Sequence, residues 1–260
     1  CTSPKSYTSL GQGLHTFYVR AIDTAGNVDA TPASQSWTVD TVAPDTSILT
    51  GPSGSVNTTT ASFTFSSEIG ATFECQLDAG GYSSCTSPKS YTSLGQGSHT
   101  FDVRATDTAG NVDATPASQS WTVDTVAPDT TILTGPSGNV NTTTASFTFS
   151  ASEPATFECQ LNSGGYGSCT SPQGYSSLGQ GSHTFDVRAT DTVGNLDATP
   201  ASRTWTVDTV APDTSILTGP SGSVNTTTAS FTFNATETAT FECQLDAGGY
   251  SSCTSPKAYS

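Results

Sequence analysis

The sequence predicts an all-β protein made of tandem antiparallel β-sandwich modules of 84 residues, arranged as an extended rod. Two observations lead to this prediction. An 84-residue step repeats without a gap, so that Trp37 returns as Trp121 and as Trp205, and a fixed period of this length is typical of repeated modules. Within each period, short segments alternate between apolar and polar residues, and turn-forming Gly, Pro, Asn and Asp separate them.

The period 42–125 shows the predicted elements in order. Strands are predicted at 47–50, 60–65, 72–77, 82–85, 99–105 and 120–123. About seven short alternating strands in a module of this length are typical of a two-sheet sandwich. The predicted core consists of the inward-facing side chains Phe63, Phe65, Phe73, Phe101, Val103 and Trp121.

The period also predicts the domain organisation. Two complete modules, 42–125 and 126–209, are flanked by the C-terminal part of a module at 1–41 and by the N-terminal part of another at 210–260. Because the chain begins and ends inside its own period, we expect it to be a segment of a longer protein.

The seven cysteines predict a disulfide framework. Six of them form the same close pair in successive copies: Cys75–Cys85, Cys159–Cys169 and Cys243–Cys253. Cys1 holds the register of Cys85, so its partner is expected upstream of residue 1. A zinc site is the alternative, but neither CxxC spacing nor paired histidines accompany these cysteines. Disulfides indicate an oxidising, extracellular compartment, with the protein either secreted or on a cell surface.

The charge balance excludes two classes of partner. Seven basic residues stand against 22 acidic ones, for a net charge of −15. Nucleic acids and anionic membrane surfaces attract clustered Lys and Arg, so neither is an expected partner. We also expect no direct membrane insertion in this segment. The negative charge is spread evenly over the copies, which favours solubility and extension.

Several motifs together resemble those of known extracellular modules. The stretch 94–107, Leu-Gly-Gln-Gly-Ser-His-Thr-Phe-Asp-Val-Arg-Ala-Thr-Asp, resembles the loop-and-strand signature of fibronectin type III and bacterial immunoglobulin-like modules. The segments 66–68, 71–78, 107–111 and 121–124 resemble the Ig-like repeats of very large bacterial surface proteins. This resemblance covers the whole chain. It implies an extracellular spacer, adhesin stalk or fibre without catalytic activity.

Two kinds of chemistry are considered and disfavoured. His15, His99 and His183 share one register at a strand start, whereas a Ser-His-Asp site needs one nucleophile placed in a pocket; we interpret these histidines as hydrogen-bonded at a sheet corner. A Lys–Asn crosslink needs a buried Lys in every module. Lys89 is the candidate in the copy 42–125, but the equivalent residue in the next copy is Gln173. That position is predicted to lie in a solvated polar loop.

Calcium is the one cofactor that the sequence suggests, although the structural role requires none. The loop 107–113 and the linker 40–45 are expected at the same end of a module. The candidate ligands are Asp40, Asp45, Asp107 and Asp113 at the first joint, and Asp124, Asp129, Asp191 and Asp197 at the second. Such carboxylate-rich junctions suit Ca²⁺. The alternative is that these aspartates cap the turn around Gly110-Asn111 through side-chain hydrogen bonds.

Four asparagines match the N-glycosylation acceptor pattern Asn-x-Ser/Thr, once in each copy plus one extra. They are Asn57, Asn141, Asn225 and Asn234. The match is only three residues long, and the alternative is a polar strand entry.

The linker and the uniform loops suggest the function. The linker 124–129 contains Pro128 and no Gly, which predicts a short, stiff joint. A non-catalytic stalk or filament, in contact with neighbouring modules of the same chain or fibre and with possible lateral self-association, is the first hypothesis. The alternative is an adhesion module that binds a carbohydrate or a protein receptor. The loops 107–111 and 191–195 differ by one residue, and this uniformity favours the structural hypothesis.

Overall fold

The structure, a computed structural model, describes residues 2–260. These residues form β-strands joined by turns and loops. None of them forms a helix long and apolar enough to cross a bilayer. The chain divides into two compact units. Unit 1 is the chain up to Pro128 together with Glu153–Ala155 and Thr190–Asp197, and unit 2 is the remainder.

The strands of unit 1 build one complete sandwich and one additional small sheet. They are β1 (Gly13–Val19), β2 (Ala33–Val39), β3 (Ser47–Thr50), β4 (Gly54–Val56), β5 (Ala61–Ser66), β6 (Thr72–Leu77), β7 (Ser83–Cys85), β8 (Lys89–Tyr91), β9 (Gly97–Thr106) and β10 (Ala117–Val123). Hydrogen bonds join them in the orders β1–β2, β3–β5–β8 and β4–β10–β9–β6–β7. The last two sheets come from the period 42–125 and form two layers. The predicted all-β sandwich is confirmed.

The core of unit 1 lies between these two layers. Phe63 of β5 and Phe101 of β9 are fully buried, and their stacked ring centroids are 4.1 Å apart. Trp121 of β10 lies with its ring centroid 5.2 Å from that of Phe63. Phe65 and Val103 are also buried, whereas the predicted core residue Phe73 is only half-buried against this cluster. Alternation in β5 and β9 therefore predicts the buried face correctly.

Two strands of unit 1 lie where the sequence predicts a turn and a loop. β4 begins within the turn cluster 51–54 and pairs in parallel with β10, so the sandwich is not purely antiparallel. β8 contains Lys89, which was expected in a solvated loop, and pairs with β5 through Ala61 and Tyr91. Lys89 is half-buried. Both strands have three residues, which is too short for an alternating pattern to be recognised.

Unit 2 repeats this architecture. Its strands are β11 (Thr130–Thr134), β12 (Gly138–Val140), β13 (Ala145–Ala151), β14 (Ala155–Leu161), β15 (Gly167–Cys169), β16 (Gln173–Tyr175), β17 (Gly181–Asp191), β18 (Ala201–Val207), β19 (Thr214–Thr218), β20 (Ala229–Ala235), β21 (Phe241–Cys243), β22 (Ser251–Cys253) and β23 (Lys257–Tyr259). Their sheets run β11–β13–β16, β12–β18–β17–β14–β15, β19–β20–β23 and β21–β22. Phe147 stacks on Phe185 at 4.1 Å, and Trp205 lies 5.2 Å from Phe147.

One glycine in each copy makes room for the central aromatic ring. A Cβ on Gly51 would lie 2.5 Å from the Cδ1 atom of Phe63, and a Cβ on Gly135 would lie 2.4 Å from that of Phe147. Gly219 makes the same approach to Phe231. Real Cβ atoms are not found at these distances, so the turn after β3 needs Gly for packing reasons.

Three disulfides close hairpins at the predicted pairs. Cys75–Cys85 joins β6 to β7, and the equivalent bonds are Cys159–Cys169 and Cys243–Cys253. Each pair has a sequence separation of 10, and closing a loop of this size stabilises a fold by about 2–3 kcal/mol in the chain-entropy description. Cys1 lies outside the described residues.

The flanking segments differ from the copies in burial. Trp37 on β2 is 37% exposed, whereas its equivalents Trp121 and Trp205 are each 2% exposed. The reason is that β1 and β2 form a two-stranded sheet without a second layer over it. The module boundaries at 41/42, 125/126 and 209/210, the 84-residue module size and the rod stay predictions.

Candidate functional site

Each linker is held by a glutamine from the copy that precedes it. Gln12 donates from Nε2 to the Asp40 carboxylate at 2.7 Å, and its Oε1 accepts from both the backbone N–H and the hydroxyl of Thr41 at 3.0 Å. The same contacts recur in two further sets: Gln96 with Asp124 and Thr125, and Gln180 with Asp208 and Thr209. One side chain thus fixes two consecutive linker residues.

The loop after β9 contacts the first linker from the other side. The Asp107 carboxylate accepts from the backbone N–H groups of Ala109 and Asn111 and from the Asn111 side-chain amide, at 2.7–2.8 Å. The side-chain bond from Asn111 is the main reason why the pKa of Asp107 lies below its usual value. Held in this way, Asn111 also donates to the carbonyl oxygen of Asp40 at 3.1 Å.

The corresponding loop at the second joint makes the same contact more fully. Here the Asp191 carboxylate accepts from the backbone N–H groups of residues 193–195 and from the Asn195 amide. Asn195 donates to the carbonyl oxygen of Asp124 at 2.9 Å and to that of Val126 at 3.3 Å. All of these residues belong to unit 1. Burial would raise the pKa of Asp191, but its hydrogen bonds, chiefly from Asn195, outweigh burial and lower it.

Asp113 ties the first linker to the sandwich. It is 3% exposed and accepts from the hydroxyl of Thr46, which directly precedes β3, at 2.7 Å. Its other oxygen accepts from the backbone and hydroxyl of Thr115. Burial raises the pKa of Asp113, and the bonds from Thr46 and Thr115 lower it by more.

The four calcium candidates of the first joint are therefore dispersed among different partners. Asp107 and Asp113 accept several hydrogen bonds each, Asp40 accepts from Gln12, and Asp45 is exposed. These contacts are those of the alternative hypothesis, in which the aspartates cap turns. Calcium at this joint stays a prediction.

The second joint brings three carboxylates together. One oxygen from each of Asp124, Glu153 and Asp191 lies within 4.8 Å of the others. Of the predicted set, Asp129 and Asp197 are not in this group. Glu153 was not predicted, although Glu237 in the same register was a signal available in the sequence; in the preceding copy that position is Ile69. Among the described residues, such a group of three carboxylates is found at the second joint alone. Calcium binding there also stays a prediction.

The four glycosylation candidates are all exposed: Asn57, Asn141, Asn225 and Asn234. Glycosylation stays a prediction at each of them.

Four tyrosines of the two complete copies, Tyr82, Tyr91, Tyr166 and Tyr175, are half-buried and pack within their own copy. The guanidinium of Arg104 lies 4.1 Å from the ring centroid of Tyr82 and forms two hydrogen bonds with Glu74. Tyr91 packs edge-on against Phe63. Tyr166 and Tyr175 repeat these positions in the next copy. Their faces are thus already occupied, which leaves little aromatic surface for stacking on a sugar.

The histidine register carries the hydrogen bond expected at the sheet corner. In each of the three copies the His Nε2 atom lies 2.7–2.8 Å from the carbonyl oxygen of the Gly four residues earlier. The histidines therefore hold the loop that precedes their strand.

A comparison with known families decides the type of module. Residues 52–124 match the bacterial Ig-like domain. The resemblance to bacterial Ig-like repeats is confirmed for this segment, which covers β4 to β10 and the whole loop 107–113. The Ig-like match and the disulfides indicate an extracellular setting.

Similarity to individual proteins extends beyond this segment. The chain is 30% identical over 240 residues to Exoglucanase B of Cellulomonas fimi, with 80% of this chain and 22% of that protein aligned. The chain thus spans about a fifth of that relative's length. Among solved structures, the fibronectin(III)-like modules of Clostridium thermocellum CbhA match at 17% identity and a TM-score of 0.35, over 63% of this chain and 94% of theirs. A solved chain from a 1.5-MDa bacterial ice-binding adhesin matches at 13% identity and a TM-score of 0.38, over 78% of this chain and 80% of that solved chain.

Proposed function

We propose that the chain is part of a non-catalytic extracellular stalk or filament, in which the Ig-like copies act as spacers. The observation that carries this proposal is the construction of the linkers. Each linker is bonded by a Gln side chain from the preceding copy, and at the two joints within unit 1 an Asn side chain from the following copy bonds it as well. A spacer requires joints of defined geometry, and such joints are costly to bend.

The energetic argument concerns the backbone of the linker. A short linker with free carbonyl and N–H groups samples many conformations, since fixing each residue costs about 1–2 kcal/mol of conformational entropy. Here Thr125 N–H is bonded to Gln96, and the carbonyl oxygens of Asp124 and Val126 are bonded to Asn195. Pro128 fixes one further φ angle. These contacts support a stiff joint, unlike that of a Gly/Ser linker.

The absence of catalysis is part of the proposal. Ig-like folds typically serve as non-catalytic modules, and a fold does not by itself define an activity. The similarity to an exoglucanase concerns about a fifth of that protein, so an enzyme located elsewhere in a longer chain is compatible with a spacer role here. The other domains of such a longer chain would determine whether the stalk is anchored on a cell surface or secreted.

Adhesion to a carbohydrate or protein receptor is the less favoured function. An Arg guanidinium lies against the ring of Tyr82 and of Tyr166, and the loops 107–111 and 191–195 differ by one residue, which favours a structural role over a specialised binding surface in these two copies. Weak lateral association between stalks belongs to the favoured proposal, because identical surfaces repeated along a chain add their affinities.

The proposal is tested by imaging the whole 260-residue chain by negative-stain electron microscopy together with small-angle X-ray scattering. We expect elongated particles with one narrow distribution of end-to-end distances. The double substitution Asn111→Ala and Asn195→Ala should broaden that distribution, whereas Asn225→Ala, an exposed position away from both joints, should leave it unchanged. Compact globular particles for the wild type would overturn the proposal.

A further inference from the structure

The copies 42–125 and 126–209 differ in the side chain that faces their histidine. In the first, His99 Nδ1 lies 2.7 Å from the Asp78 carboxylate and Nε2 lies 2.8 Å from the Gly95 carbonyl oxygen. Both ring nitrogens therefore face acceptors. Asp78 also accepts from the backbone N–H of Thr100 at 2.9 Å, so it joins the turn after β6 to the start of β9.

In the next copy an asparagine takes the place of this aspartate. Asn162 Oδ1 accepts from the backbone N–H of Thr184 at 2.9 Å, and this bond fixes which end of the amide is oxygen. The Nδ2 group must then donate to His183 Nδ1, which lies 2.9 Å away. His183 Nε2 donates to the Gly179 carbonyl oxygen at 2.8 Å. A neutral imidazole satisfies every one of these contacts.

The two arrangements respond differently to a proton. When His99 is neutral, only one of its ring nitrogens carries a hydrogen. The other nitrogen then directs its lone pair at either Asp78 or the Gly95 carbonyl, and one hydrogen bond is lost in each tautomer. The imidazolium restores both bonds. At His183 the relationship is reversed, because an added proton on Nδ1 would face the Asn162 amide hydrogens.

We propose that the copy 42–125 carries a pH-dependent latch, in which protonated His99 and Asp78 hold the turn after β6 against β9, and that the copy 126–209 carries the same latch without this pH dependence. The turn that the latch holds contains Asp78 and Ala79 with positive φ angles and is the loop of the β6–β7 hairpin that Cys75–Cys85 closes. A regular array would thus contain copies that differ in their response to acidity.

Among the groups around the latch, His99 is the one that changes its protonation near neutral pH. Asp78 is the charged group that faces His99, and Trp121 of β10 covers the ring with its centroid 5.5 Å away. Tyr91 of β8 lies near Asp78; burial and that charge both raise its pKa, so its hydroxyl stays protonated where histidine titrates. His99 itself is largely buried, with 11% of its side chain exposed.

The direction of the effect follows from the two partners. The Gly95 carbonyl and then the Asp78 carboxylate raise the pKa of His99, against the opposing effect of burial. This stabilisation is complete below the ordinary histidine pKa of about 6.5 and is lost as the pH rises through the raised value. Burial would raise the pKa of Asp78, but the bonds from His99 and Thr100 lower it, so its contribution is present above about pH 3.9 and is lost below that. The latch is therefore strongest between about pH 4 and pH 6.5.

The test uses the ring of His99 as the probe in the intact chain. Ring resonances are followed by ¹H–¹³C NMR during a pH titration of the wild type, of Asp78→Asn and of Asn162→Asp. Each variant installs the residue that the other copy already holds, so both should fold. We expect the pKa of His99 to lie above the ordinary histidine value in the wild type. Asp78→Asn should lower the His99 midpoint, whereas Asn162→Asp, in the other copy, should leave it unchanged.

A second measurement separates the latch from a purely local effect on the ring. Hydrogen exchange at the Thr100 amide, which donates to Asp78, should become faster as the pH rises through the His99 midpoint, after correction for intrinsic exchange. In Asp78→Asn that extra acceleration should disappear. The proposal is overturned if His99 titrates at the same pH in the wild type and in Asp78→Asn, or if Thr100 protection does not follow its titration.

Discussion

The side-chain amide of Asn195 donates to the backbone carbonyl oxygen of Asp124 at 2.9 Å, and Asn111 makes the equivalent bond to Asp40 at 3.1 Å. Each Asn is itself fixed by an aspartate four residues earlier in the chain. The turn that looks like a simple surface loop is thus used to hold the linker. Asp107 and Asp191 therefore make the turn-capping hydrogen bonds that the sequence offered as the alternative to calcium binding.

Removing this contact should loosen the second joint. Asn195→Ala leaves the carbonyl oxygens of Asp124 and Val126 without their side-chain donor, and each such bond contributes about 0.5–1.5 kcal/mol. We expect faster limited proteolysis within residues 124–128, with little change in the stability of either copy. Asn225→Ala serves as the control. Equal cleavage rates in the two variants would contradict a role for Asn195 at the joint.

A matched pair of glycines tests the packing at the centre of the sandwich. Gly51→Ala places a methyl group against the ring of Phe63, and overpacking of this kind costs about 1–3 kcal/mol. Gly95→Ala meets no atom within 4 Å and should change stability by less than about 0.5 kcal/mol. Hydrogen exchange measured by mass spectrometry reports each copy separately, so the copy 126–209 is an internal control. A neutral Gly51→Ala variant would show that the ring moves freely.

The sequence predicted the long strands well because their alternation is strong. Every second residue is apolar throughout β5 and from Phe101 onward in β9, and the residues Phe63, Phe101 and Val103 are fully buried as expected. β4 and β8 were missed since three residues carry no period, and their pairing depends on contacts far away in the chain. Whether these two short segments form strands depends on tertiary contacts, which the local sequence pattern does not encode.

The candidate site was only partly predictable for a similar reason. The sequence places aspartates near each joint, but it does not show which carboxylates are already engaged by donors. Asp113 is taken by Thr46, far away in the sequence. Glu153 was missed because it lies in a loop that was not considered part of the joint, and only folding brings it to Asp124 and Asp191.

Calcium binding is tested most directly at the second joint. Ligand that binds only the folded state raises stability by about 2.7 kcal/mol at a hundredfold excess over its Kd. If the carboxylates of Asp124, Glu153 and Asp191 hold Ca²⁺, the melting temperature should rise between excess EDTA and millimolar Ca²⁺. Glu153→Gln should reduce that rise. Glu68→Gln, which changes an acidic residue outside this group, should not. An unchanged wild-type melting temperature would rule calcium out.

The last prediction concerns the disulfide of one copy. Cys75→Ala with Cys85→Ala removes the constraint on a loop of sequence separation 10, so the copy 42–125 should lose about 2–3 kcal/mol of unfolding free energy. Part of any further loss comes from packing, because Cys75 is 2% exposed within the core. Hydrogen exchange resolved by copy provides the measurement.

The equivalent double substitution at Cys159 and Cys169 provides the comparison, since that hairpin has the same strand register. Each substitution should weaken its own copy by a similar amount and leave the other copy's core protected. If both copies lose protection together, they unfold as one cooperative unit. That result would contradict the view that each disulfide-closed sandwich is stable largely through its own core.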